Sequence, residues 1–170
     1  AGASTLAAGL AAALSETGEG KVLMVDMTAN GSEGDVHPFF AGRPALPLDD
    51  AIKPSAQGES TVDNLYLAKA DPNAPGYGSL GLNKFRRIMR DLQASDFDFM
   101  VFDMPTLGQT SSTAAIAGLM DQVLVIVEAE TNSPEEVKRG FQDLANYSAK
   151  VSVVFNKARK VGPESLVGTN

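Results

Sequence analysis

Apolar positions along the chain alternate between two rhythms. From Ser4 to Ser15, Leu6, Leu10 and Leu14 recur every four residues among alanines, predicting a helix with a narrow apolar stripe whose small residues let it pack close to a sheet. Gly18 is placed to end it. Lys21 to Asp26, KVLMVD, is then a short continuous apolar run, the pattern of a parallel strand buried on both faces. Asn64 to Ala68, the apolar run within Phe97 to Pro105, and Lys150 to Phe155 also read as strands, and Gln122 to Val127 as another buried strand. Between them, Leu82, Phe85, Ile88, Met89 and Leu92 mark an amphipathic helix over 82–94, with Lys84, Arg86, Arg87 and Arg90 largely off its apolar stripe. TLGQTSSTAAIAGL reads as a loop and a small-residue helix. A further helix starts at Ser133-Pro134-Glu135-Glu136, where Ser133 is an N-cap, Pro134 the first helical residue and Glu136 the closing member of a capping box. Val137, Phe141 and Leu144 give that helix its inner face.

Strands alternating with helices predict an α/β fold, a mostly parallel sheet flanked by helices and joined by right-handed crossovers. Residues 27–63 are the least periodic stretch, rich in Gly, Pro, Ser and Asp, with LPLDDAI as a helical turn or two; a segment of this kind is commonly functional. The chain of 170 residues is expected to form a single domain, 1–170.

Composition narrows the function classes. A net charge of −7 argues against a nucleic-acid partner, which needs clustered positive charge. The four cations of residues 84–90 read more readily as a solvated face than as a docking surface. No run of about twenty apolar residues is present, so no segment has the length and character of a membrane span. The absence of cysteine removes disulfides, thiolate catalysis and cysteine zinc sites. The Ala/Leu opening contains Gly9 and has no basic flank, and it does not read as a signal peptide. His37 has no second ligand at a metal-binding spacing.

Candidate chemistry sits at the strand ends and at the start of the first helix. Ala1-Gly2-Ala3-Ser4-Thr5 resembles the tail of a phosphate-binding loop, with Ala3 where the usual pattern has lysine. Glycine lets a phosphate approach the backbone, the helix start offers amide N–H groups and a positive dipole end, and the Ser4 hydroxyl suits Mg²⁺. Taken alone, the same residues are an ordinary helix start. Gly18-Glu19-Gly20-Lys21 also looks like a phosphate loop, but it follows a helix and precedes a strand, the reverse of the required order. Asp103 ends an apolar strand, where open α/β sheets place their ligands, and is positioned for Mg²⁺ or its water. The last strand delivers Asn156 and Lys157 to the same edge.

Taken together, AGAST, VLMVDMTAN, FMVFDMP and VVFNK, in that order, resemble the deviant-Walker P-loop NTPases that include the MinD/ParA proteins. HPFFAGRP, LPLDDAI, NLYLAKADPNAPG and FDFMVFDMP bring the chain closer to the cytoplasmic kinase domain of bacterial tyrosine autokinases, which work with polysaccharide co-polymerases in capsule and exopolysaccharide export. The resemblance implies that Gly2, Ala3, Ser4 and Thr5 line the phosphate site, Ser4 and Asp103 the metal site, and Asn156 the adenine site. It also implies that Asp26 and Asp103 are the catalytic acids if the domain is active, with ATP or ADP and Mg²⁺ as cofactors.

The departures point the other way. Ala3 replaces the lysine, and in the family's D-x-D-x-R pattern Thr28 replaces the second acid and Asn30 the arginine. Tyr66, Tyr77 and Tyr147 are scattered rather than clustered in a tail, and the family's upstream oligomerisation motif is not in this chain. The family places a strand and a first glycine before the AGAST position, at the sheet centre, so the expectation is either that the sequence starts late or that the architecture is rearranged. The expectation is therefore a non-catalytic or weakly nucleotide-binding kinase-like domain regulating exopolysaccharide or capsule production; the alternative is an active ATPase or protein-tyrosine autokinase. A membrane co-polymerase or flanking transmembrane segments are the expected partners, with homo-oligomers also implied, and the expected place is the cytoplasmic face of a bacterial membrane. DNA partitioning ranks behind both because of the acidic charge.

Overall fold

A computed structural model describes residues 2–28, 43, 45–53, 64–70, 82–108, 111–129 and 131–157. Asn30, His37, Tyr77, most of HPFFAGRP, the DPNAPGYG connector and the C-terminal GPESLVGTN lie outside the described residues. Elements follow in the order α1 (Ala3–Glu16), β1 (Val22–Asp26), β2 (Leu46–Pro47), α2 (Leu48–Ala51), β3 (Leu65–Lys69), α3 (Leu82–Gln93), β4 (Phe99–Asp103), α4 (Ser111–Ala117), β5 (Val123–Glu128), α5 (Pro134–Ala145) and β6 (Val151–Asn156). Every strand pairing among the described residues is parallel, as the continuous apolar runs predict. The strands form a four-stranded sheet in the order β2-β3-β1-β4 and a separate pair, β5-β6.

Helices cover both faces of the larger sheet. Ala8 and Ala11 of α1 pack on Val22, Met24, Leu65 and Leu67, with Phe99 and Val101 alongside. On the opposite face, Phe85, Ile88, Met89 and Leu92 of α3 and Ile116 of α4 meet Leu23, Val25, Tyr66 and Ala68. Phe85 stands edge-on to Phe102 at a centroid distance of 6.0 Å, and Tyr66 to Phe97 at 5.3 Å. Ala114 and Ala117 of α4 and Leu144 of α5 cover Val123, Val125 and Val151, so α4 contributes to the cores of both sheets.

Two sequence expectations change here. The leucine stripe of α1 is not its buried face: Leu6 and Leu10 are 39% and 38% exposed, whereas Ala8, Ala11 and Ser15 are buried. The helix turns its smallest side chains to the strands, which lets its backbone approach closely. The last two strands are also not buried on both faces, since Leu124, Val153 and Phe155 are 43%, 40% and 69% exposed. Leu124 lies on the face away from α4 and α5, whereas Val153 and Phe155 lie on the face that those helices cover only in part. On α5 only Leu144 is fully buried, and Val137 and Phe141 are half-buried.

The second glycine-rich stretch is structural. Gly18 takes a positive φ of 68° and ends α1. A side chain at Gly20 would strike the Asp98 carboxylate, which accepts from the Lys21 N–H at 2.8 Å. The Lys21 ammonium is paired with Asp96. These bonds fasten the start of β1 to the start of β4, and no phosphate loop is formed there. The predicted capping box of α5 is complete, with Glu136 N–H donating to Ser133 Oγ at 3.2 Å and Ser133 N–H to Glu136 Oε2 at 3.0 Å. No described helix is long and apolar enough to cross a membrane.

Candidate functional site at the carboxyl edge of the strands

Parallel pairing brings the chemistry together. Asp26 ends β1 and Asp103 ends β4, in register on neighbouring strands. The Met27 N–H donates to the Asp103 carbonyl at 2.9 Å, so the pairing runs through the two acids. Side chains alternate along a strand, so both acids fall on the face of Met24 and Val101, the face that α1 covers.

Asp26 is already engaged. Its Oδ1 accepts from the Thr28 N–H at 2.8 Å and from the Thr28 hydroxyl at 2.6 Å. Thr28 thus closes a local turn on Asp26. Asp103 is 3% exposed, and its burial calls for partners inside the fold, which it has. Among the described residues no third carboxylate or histidine joins these two in a metal-sized cluster.

The helix start lies at the same edge. Gly2 has φ 84° and ψ 19°, and no side chain caps α1. A methyl at Gly2 would lie 2.6 Å from Asn156 Nδ2, so glycine is required there both by conformation and by space. The contact places the end of β6 beside the first turn of α1. Asn156 Oδ1 accepts from the Lys157 N–H at 2.9 Å, and Lys157 has a positive φ of 57°. Ser4 is half-buried, and Ala3 and Thr5 are exposed. Ala3 contributes only a methyl to this first turn.

One feature of this edge escaped the motif reading. Glu128 ends β5 and is paired with Lys157, whose hydrogen bond holds the glutamate carboxyl below its ordinary range. An apolar run that ends in an acid singles out Asp103, and the same signal in VLVIVE singles out Glu128.

No family model matches the chain. Over 110 residues it is 30% identical to CapB of Staphylococcus aureus, named as a tyrosine-protein kinase; the match covers 64% of this chain and 46% of CapB. The chain thus spans about half the length of that curated relative. Its fold matches solved structures, among them the following three. The chimerical protein CapA2B2 superimposes with a TM-score of 0.74 at 24% identity, covering 94% of this chain and 72% of the other. The BceF tyrosine kinase domain gives 0.67 at 19%, over 91% and 63%. The kinase domain of the Escherichia coli tyrosine kinase ETK gives 0.61 at 18%, over 94% and 64%. In sequence the chain is similar to a tyrosine-protein kinase, and it shares the fold of solved tyrosine kinase domains.

Proposed function

We propose that this chain is a kinase-like domain that is non-catalytic or binds nucleotide only weakly, and that it regulates exopolysaccharide or capsule production. The observation that carries this reading is the engagement of Asp26 Oδ1 by both the amide and the hydroxyl of Thr28, in a chain with alanine at position 3. In the family pattern a second acid and a lysine would stand at these two places. Here one carboxylate is turned into a local hydrogen-bond acceptor, and the phosphate site has lost its point charge.

Gly2, Ser4 and Thr5 are the residues that would hold a phosphate group, Ser4 and Asp103 a Mg²⁺ ion, and Asn156 an adenine ring. ATP with Mg²⁺ would supply a transferable phosphoryl group. This chain's own residues are better suited to binding than to transfer, because the groups that would ready an acceptor hydroxyl are replaced. Recruitment by a membrane co-polymerase is part of the same reading. Assembly with further copies and placement at the cytoplasmic face of the membrane also belong to it.

Calorimetric titration with Mg·ATP and Mg·ADP, on the natural chain and on Ala3→Lys, tests the proposal. The natural chain is expected to bind in the roughly millimolar range or not at all. Ala3 is exposed at the first helical position, so lysine fits there. It should tighten binding about ten- to a hundred-fold through one charge-assisted contact. Low-micromolar affinity in the natural chain, with ATP turnover that Asp103→Asn abolishes, would favour the active ATPase or autokinase instead.

A further inference from the structure

We propose that the groove along α3 is a docking site for an acidic, extended peptide segment of a partner protein. The groove measures about 540 Å³ and is lined by Asn83, Arg86, Met89, Arg90 and Gln93 of α3 and by Leu119, just beyond α4. The α3 residues fall at the helical spacings that share one side of a helix. Arg86, Arg87 and Arg90 are exposed, and among the described residues none of the three takes part in an ion pair. On a chain of net charge −7, this is a stripe of positive charge that no described carboxylate pairs with.

The chemistry of the lining favours a peptide. Arg86 and Arg90 are four residues apart, a rise of about 6 Å along a helix. Alternate side chains of an extended chain are about 6.6–6.8 Å apart, so two carboxylates separated by one residue match the two guanidinium groups. Met89 is buried to 9% exposure and, with Leu119, offers an apolar floor for the side chains that flank those acids. Asn83 and Gln93 stand at the ends of the stripe, about 15 Å apart along the axis, and their amides both donate and accept. Peptide backbone needs both kinds of partner, whereas a phosphate surface needs donors alone. A concave site also suits a strand of peptide better than a flat bilayer, which the acidic remainder of the chain repels. The proposal is independent of nucleotide binding.

Fluorescence anisotropy with a labelled peptide of repeated Glu-Leu, and with a Gln-Leu peptide as its neutral counterpart, tests this. The chain should bind the acidic peptide saturably and the neutral one not at all. The double variant Arg86→Glu/Arg90→Glu should weaken binding about tenfold or more, and Arg87→Glu, outside the groove, by less than about twofold. All three arginines are exposed, so the variants should keep the natural far-UV dichroism. The proposal is overturned by an absence of saturable binding or by an equal loss in Arg87→Glu, which would mean that net charge alone is sensed. Tighter binding to phosphatidylserine vesicles than to the peptide, lost in the double variant, would overturn it in favour of a membrane surface.

Discussion

Gly2 concentrates several constraints in one residue. It is the N-cap of a fourteen-residue helix, it holds a left-handed backbone, and it faces Asn156 across a space that no side chain can share. Gly2→Ala should cost about 1–2 kcal/mol through backbone strain, and the contact with Asn156 should add to it. Urea unfolding monitored by circular dichroism gives the size of the loss, and Asn156→Ala in the same background should recover the steric part but not the strain. A Gly2→Ala protein as stable as the natural one would mean that the helix start relaxes freely and has no fixed shape for an anion. The residue types at this site could be read from the chain. Their engagement could not: nothing in the spacing of Asp26 and Thr28 distinguishes a hydroxyl turned to water from one closed onto the carboxylate, because that choice depends on backbone torsions after the strand ends.

Among the elements, α3 and α5 follow their local patterns closely and α1 does not. The apolar stripe of α3 is its buried face, and Phe85 is fully buried against Phe102. Phe85→Ala should therefore cost about 3–5 kcal/mol, seen as a lower urea midpoint at unchanged slope. A loss below about 1 kcal/mol would place Phe85 at a site that collapses without penalty, contrary to its position between sheet and helix. The Ser133 capping box was legible because it is built from neighbours in sequence, so no tertiary contact is needed to specify it. The stripe of α1 misled because periodicity reports where leucines lie, not which side the sheet accepts. Alanine on the other side permits a closer approach, and the sheet has selected it.

At the scale of the molecule, ion pairs tie distant segments and set a pH dependence. Lys21 pairs with Asp96 across 75 residues, and its hydrogen bond lowers the carboxyl pKa of Asp96 and raises that of Lys21 above 10.5. Glu128 is lowered in the same way by Lys157. A carboxyl lowered in the folded state contributes stability that is present above its ordinary pKa, about 4, and is lost as pH falls through the lowered value. The Lys21 contribution is present below the ordinary lysine pKa and lost as pH rises through the raised one. Urea midpoints measured from neutral pH down to about 2 should thus decline on the acid side, and Asp96→Asn should flatten part of that decline. An unchanged acid limb in Asp96→Asn would mean that the pair is too solvated to couple to folding. By itself the sequence determined the alternation of parallel strands and helices, the capped start of α5, the acid at the end of β4 and the likeness to an autokinase domain. Each of these is written in neighbouring residues or in a repeating local pattern. Tertiary structure alone decided which side of α1 is buried, that β5 and β6 pair apart from the larger sheet, that Gly2 meets Asn156, and that α3 shares a groove with Leu119. These depend on segments far apart in the chain meeting in one packing arrangement, and no local period encodes such a meeting.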